Sequence, residues 1–157
     1  KPWKSKMAST FVKMHSLDED TQTPGESQNA IDLANENPES WVLKPQREGG
    51  GNNYFDKEMT QKLNNMTPSE LKAHVLMERI RPRSHPAWLM VQGQSEYTSC
   101  VSEIGRYGVL LANRGTIELN SDCGYLVRTK SEDVNEGGVC AGYSCLNTLC
   151  LEEEGVP

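Results

Sequence analysis

Between positions 44 and 53 the chain reads Lys44, Pro45, Gln46, Arg47, Glu48, Gly49, Gly50, Gly51, Asn52, Asn53. A lysine brings positive charge, and three successive glycines let backbone amides approach phosphate oxygens with no side chain in the way. A carboxylate beside them can hold the magnesium that bridges phosphates. The parts suit a nucleoside triphosphate. The string is not a Walker A loop, because no Gly-Lys-Ser/Thr follows, and it lacks the G-x-G-x-x-G spacing of a dinucleotide site. Composition alone leaves a plain flexible turn and a phosphate site equally open.

Other reactive residue types point to less. The five cysteines, Cys100, Cys123, Cys140, Cys145 and Cys150, are odd in number and contain no C-x-x-C pair, so they read as free thiols rather than a disulfide framework. His15, His74 and His85 lie far from them in sequence, without the spacing of a zinc site. Asn65-Met66-Thr67 fits a glycosylation sequon but is followed by Pro68 and carries no weight. The net charge is -6, with 16 basic residues scattered among 22 acidic ones, which is no footprint for nucleic acid or an anionic membrane surface. No apolar run approaches the roughly 20 residues of a spanning helix, and the first residues lack a signal-peptide layout. A small molecule or a protein is the expected partner.

The elements that must position the glycine loop follow from pattern. A chain of 157 residues, 36% hydrophobic, can bury one modest core. Residues 7–15 permit a short helix, and the acidic stretch 17–26, containing Pro24-Gly25, reads as a linking loop. Residues 27–35 predict a helix with Ala30, Ile31 and Ala34 on one face, stopped by Asn37-Pro38. Trp41-Val42-Leu43 reads as a buried strand that delivers Lys44 into the loop. Residues 56–66 are helical in pattern, and Thr67-Pro68-Ser69-Glu70 is a strong helix start, with a capping threonine, proline at the first position and glutamate three on. Residues 75–80 predict a strand leading to a turn region at 82–86. Residues 101–112 and 116–119 predict a hairpin around Asn113-Arg114-Gly115, and 125–129 a further strand. Beyond these the chain reads as a loop through Gly137-Gly138, and no internal repeat is present.

The whole string 44–53 resembles the glycine-rich loop of eukaryotic glutathione synthetases, which have the ATP-grasp architecture. Leu76-Met77-Glu78-Arg79-Ile80, Val101-Ser102-Glu103-Ile104-Gly105 and Leu126-Val127-Arg128-Thr129-Lys130 resemble later segments of that family in the same order. Thr10-Phe11 with Ser16-Leu17-Asp18 is similar to the family stretch upstream. The resemblance runs from about Met7 to Gly142 and fades in the acidic stretch and the last residues. It implies an α/β fold with a mixed α+β sheet. Residues 1–157 would be the carboxy-terminal ATP-grasp portion of a larger subunit, with a glycine-rich lid at 44–53 and a second, alanine-rich lid at 131–143.

Carried over residue by residue, the resemblance implies that Lys44 contacts ATP phosphates and that Glu48 binds Mg2+. Gly49, Gly50, Gly51, Asn52 and Asn53 would close over the triphosphate, and Met77, Glu78, Arg79 and Ile80 would hold the adenine. Phe55, Glu103 and Glu136 would contact the nucleotide and Lys130 its phosphates, while Arg128 would grip a substrate carboxylate, a task suited to a planar, bidentate guanidinium. Arg128, Lys44 and Lys130 would carry the catalytic charge. In the second lid the amides of Val139 and Cys140 would meet the acceptor. Three departures stand out: Phe55 where the family commonly has Tyr, Glu136 where it has Asp, and Cys140 where it has Ala. Taken without the resemblance, 77–80 is an ordinary buried strand, and Glu103 and Lys130 are surface charges.

The implied activity is ATP-dependent ligation of gamma-glutamylcysteine to glycine through an acyl phosphate, with ATP and Mg2+ as cofactors. A missing amino-terminal part would complete the subunit, without which the chain should be inactive, and completed subunits would form a homodimer in the cytoplasm, a secretion signal upstream staying open. Two alternatives accompany this reading. One is a related ligase with a different small amino acid as acceptor, such as beta-alanine, suggested by Cys140. The other is a paralogue that keeps the ATP-grasp shell as a binding protein, against which the intact Lys44, Glu48, Arg128 and Lys130 weigh.

Overall fold

A computed structural model of the chain describes residues 2–47, 51–91 and 93–149, which divide into two units, Lys1–Arg81 and Pro82–Pro157. The first begins with helix α1 (Pro2–Ala8), which buries no residue. The helix expected over 7–15 is not formed. Residues 14–16 instead make strand β1 (Met14–Ser16), paired antiparallel with Met77, Leu76 and Val75, a case of long-range pairing overriding weak local preference. In the acidic stretch Leu17 is buried, and Asp18 caps a 3-10 turn at Glu19–Thr21 by accepting from the Asp20 amide at 3.2 Å. Lys72 pairs with Asp18 at 3.6 Å and with Asp20.

Helix α2 (Glu26–Glu36) buries Ser27, Ala30, Ile31 and Ala34, the one-sided spacing of an amphipathic helix. Strand β2 (Trp41–Pro45) follows, then β3 (Tyr54–Phe55), helix α3 (Asp56–Asn65), the short helix α4 (Pro68–Leu71) and strand β4 (His74–Glu78). Helix α3 buries Met59 and Leu63, four positions apart on one face. The sheet order is β1-β4-β2-β3, and its pairs are all antiparallel. The core joins Leu17, the buried residues of α2 and α3, and Trp41, Leu43 and Leu76 of the sheet. Because successive side chains alternate across a sheet, Trp41 and Leu43 meet the helices while Val42 and Lys44 lie on the opposite face.

The second unit is an antiparallel meander, β5 (His85–Val91), β6 (Gln94–Asn113), β7 (Thr116–Ser131) and β8 (Cys145–Asn147), in that order. The expected hairpin is present, longer than its apolar runs suggest. It turns through Arg114 and Gly115, with φ of 45° and 87°, matching the positive φ that two-residue hairpin turns require at both central positions. The expected turn region at 82–86 ends in strand instead, with His85 and Pro86 opposite Cys100 and Ser99. Proline has no amide to give a central ladder, and β5 is an edge strand, where it is tolerated. Residues 125–129 belong to the single long β7 rather than to a separate strand.

Candidate functional site

In the first unit, the connection 44–53 is bounded by Leu43 and Tyr54, which stand opposite each other in the β2–β3 register. Two backbone bonds fix its outbound end, Gln46 N to Ala73 O and Arg47 N to Pro45 O, both at 2.8 Å. Gly51 has a φ of 86°, a conformation that glycine adopts at little cost. Glu48, Gly49 and Gly50 lie outside the described residues. Asn52 is exposed and Asn53 half-buried.

The opposite face of this sheet collects several of the residues singled out from sequence. Val42 stands opposite Met77 on one side and Phe55 on the other, and Lys44, two positions along β2, stands opposite Val75. The result is an apolar sheet face of buried Val42 and half-buried Met77, Val75 and Phe55, with a half-buried lysine at the end where the glycine loop begins. Arg79 lies over the Phe55 ring at 5.4 Å and donates to Asp56 Oδ1 at 3.3 Å. Its own amide donates to Ser40 O at 2.8 Å. Glu78 is turned toward the chain before β1: its Oε2 accepts from Lys13 N at 3.3 Å, and its amide donates to Lys13 O at 2.9 Å. Ile80 is exposed. An apolar sheet face beside a cation and a glycine-rich connection offers stacking at one end and charge and amides at the other.

In the second unit, Glu103 and Arg128 stand opposite each other in the β6–β7 register, and Val101 stands opposite Lys130. Alternation places Glu103, Arg128 and Lys130 on one face. Arg128 Nη2 donates to Glu103 Oε1 at 2.5 Å. Lys130 Nζ donates to the carbonyls of Val134, Asn135 at 2.9 Å and Glu136 at 3.1 Å. Gly138 O accepts from Tyr143 N at 3.0 Å and Ser144 N at 3.2 Å, and Gly138 N donates to Ser144 Oγ at 3.3 Å. Val139 is half-buried and Cys140 exposed on the loop so closed. Strand β8 then brings Leu146 opposite Arg128.

A polar cluster on the other face of this sheet escaped the sequence reading. Thr129, fully buried, shares a hydrogen bond with Ser102 Oγ at 2.8 Å and accepts from Asn147 Nδ2 at 3.3 Å. His85 Nε2 is 3.3 Å from the Ser102 hydroxyl. His85 and Asn147 come from β5 and β8, so no local signal announced the cluster. Cys100 is buried beside it, its thiol on Thr98 O at 3.4 Å, and burial pushes that thiol's pKa up.

Mixed helix and sheet, with a glycine-rich connection leaving a strand beside an apolar face in one unit and a loop returning to its strand of origin in the other, are consistent with an ATP-binding domain of the ATP-grasp kind. The family model described as eukaryotic glutathione synthase, ATP binding domain, matches residues 2–151, and the chain belongs to that family. It is 38% identical over 145 residues to the glutathione synthetase of Homo sapiens, covering 91% of this chain and 30% of that protein. With the glutathione synthetase large chain of Schizosaccharomyces pombe the identity is 39% over 147 residues, covering 92% and 29%. With the chloroplastic enzyme of Solanum lycopersicum it is 37% over 150 residues, covering 94% and 26%. The chain thus spans between a quarter and a third of these relatives. Among solved structures, a glutathione synthetase-like effector from Globodera pallida in its apo form shares the fold, with a TM-score of 0.51 at 21% identity over 73% of this chain and 30% of that one.

Proposed function

We propose that the complete protein is an ATP-dependent ligase that joins gamma-glutamylcysteine to glycine, and that this chain supplies part of its nucleotide site and its acceptor site. The observation that carries the reading is the face shared by Lys44, Val42, Met77 and Phe55, with the glycine loop opening at its lysine end. Adenine would lie against the apolar part, and the triphosphate would run toward Lys44 under residues 49–53. Among the described residues no group of three or more His, Cys, Asp or Glu is placed to hold a metal. A magnesium ion would rest on Glu48, phosphate oxygens and carboxylates elsewhere in the protein, where it would neutralise phosphate charge.

In the reaction, the carboxylate of gamma-glutamylcysteine takes the γ-phosphoryl group of ATP, giving an acyl phosphate and ADP. The glycine amine then attacks the acyl carbon, forms the amide and expels phosphate. This chain's share is positioning and charge: Lys44 faces the triphosphate, and Arg128 with the amides of Val139 and Cys140 orients the acceptor carboxylate. Both loops would exclude water, which would otherwise hydrolyse the acyl phosphate. The remaining amino-terminal portion would hold the gamma-glutamyl end, and completed subunits would pair as homodimers. No helix among the described residues is long and apolar enough to cross a membrane. The test is Glu48→Ala in the full-length protein. ATP turnover should fall by on the order of a hundredfold, with metal-dependent nucleotide binding lost. Unchanged turnover at limiting magnesium overturns the assignment.

A further inference from the structure

The β2–β4 ladder continues one bond past its last pair: Trp41 stands opposite Glu78, and the next amide, that of Arg79, donates to Ser40 O at 2.8 Å. Alternation then puts the Arg79 side chain on the face of Met77 and Val75, at the end away from Lys44. There it lies over the Phe55 ring at 5.4 Å and donates through Nη1 to Asp56 Oδ1 at 3.3 Å. Strand β3, the start of α3 and the end of β4 thus meet at one corner through Phe55, Asp56 and Arg79. Asp56 holds a φ of 48°, a left-handed conformation uncommon for any residue but glycine. An acidic group in the first turn suits any helix, but Glu58 already supplies one to α3. The helix alone therefore does not account for a carboxylate in this conformation, and what it reaches from there is Arg79.

The chemistry of this corner bears on base choice. A guanidinium carries donors and no acceptor. Its match on a purine is the O6 and N7 pair of guanine, whereas adenine sets an amino group in the place of O6, donor against donor. A nucleotide whose triphosphate runs toward Lys44 brings its base to this end of the face. We propose that Asp56 is a positioning residue that sets base preference. By holding Arg79 over Phe55 it keeps the guanidinium from reading an acceptor edge, which disfavours guanine and leaves the face to adenine. The inference rests on the reading of this face as the nucleotide site.

Asp56→Asn in the full-length protein keeps the shape of the side chain and its tolerance of positive φ, and removes the charge that holds Arg79. Isothermal titration calorimetry with magnesium-ATP and magnesium-GTP should show a wild type that prefers ATP. In Asp56→Asn the ratio of the two Kd values should shift toward GTP by about tenfold or more. In an Arg79→Met background the same substitution should leave the ratio unaltered, because Asp56 acts through Arg79. Equal weakening of both nucleotides, which a merely structural role would give, overturns the proposal. So does an unchanged ratio in Asp56→Asn, or the same shift in the Arg79→Met background. Those three outcomes spare the nucleotide-site reading, since each is measured on a protein that binds nucleotide, whereas a wild type that binds neither nucleotide overturns both.

Discussion

Arg128 and Glu103 face each other across the β6–β7 ladder, and Arg128 Nη2 donates to Glu103 Oε1 at 2.5 Å. The two side chains are 39% and 65% exposed, so water and salt screen the pair and it adds little to stability. Under the proposed function its consequence would be orientation, since a guanidinium held from one side offers its remaining edge to an incoming carboxylate. Arg128→Lys, which keeps the charge and loses the fork, should raise the acceptor KM on the order of tenfold or more with thermal stability nearly unchanged. Steady-state kinetics beside a thermal melt checks this. A KM equal to wild type would remove Arg128 from the acceptor site.

The glycine loop is tied to helix α4 through one backbone bond, Gln46 N to Ala73 O, just beyond the helix. That helix has four residues and depends on its capping box: Thr67 accepts from the Glu70 amide, and Glu70 accepts from the Thr67 amide and hydroxyl. Thr67→Ala should cost about 0.5–2 kcal/mol in urea unfolding. The Thr67 bonds also hold the Glu70 carboxyl below its ordinary value of 4.5. Asp122 is likewise lowered, first by the Gly124 amide and then by Arg106. For a carboxyl whose folded pKa is depressed, the stabilisation is present above the unfolded value and is lost as pH falls through the folded one. Stability should therefore decline below about pH 4.5. Glu70→Gln, which preserves the box, should flatten that decline, and an unaltered acid profile would refute the account.

What was legible in the sequence was what has a local cause. Helix α2 announces itself through Ala30, Ile31 and Ala34, helix α4 through Thr67 and Glu70, and the hairpin through Arg114-Gly115. Strands β1 and β8 have no such signal: each is short and at an edge, and each is ordered by a partner distant in sequence, Met77 for Met14 and Arg128 for Leu146. The same distinction governs the site. The string 44–53 declares its chemistry within ten positions. The shared face of Lys44, Met77 and Phe55 and the Ser102–Thr129 bond exist through register, which composition does not encode.

The cysteines differ enough in surroundings to be ranked by reactivity. Cys123 and Cys140 are exposed, whereas Cys100 is buried, bonded to the Thr98 carbonyl, and has its pKa raised by that burial. The thiolate is the reacting species, so Cys100 holds less of it and shields what it holds. Timed iodoacetamide labelling with peptide mass spectrometry should modify Cys123 and Cys140 first and Cys100 last among these three. Early labelling of Cys100 in the folded protein would contradict its place in the sheet.

Acceptor choice is where this protein has most room to differ from its family. Cys140 occupies a lid position where the resemblance expects alanine, and in the structure it is exposed on the loop closed by Gly138 and Ser144. If its amide alone meets the acceptor, the thiol points away and the pocket keeps the length that suits glycine. If the thiol faces inward, it shortens the pocket or offers a polar contact to a longer amino acid. One added group in a pocket changes discrimination by about 1–3 kcal/mol, roughly ten- to two-hundredfold. Because one added group shifts discrimination only this far, glycine should remain the best acceptor, and Cys140→Ala should change the glycine kcat/KM by less than about tenfold. The deciding measurement is the ratio of kcat/KM for glycine against beta-alanine and serine, in wild type and in Cys140→Ala. A wild type that uses glycine poorly, and a Cys140→Ala variant that recovers it, would place the thiol in the pocket.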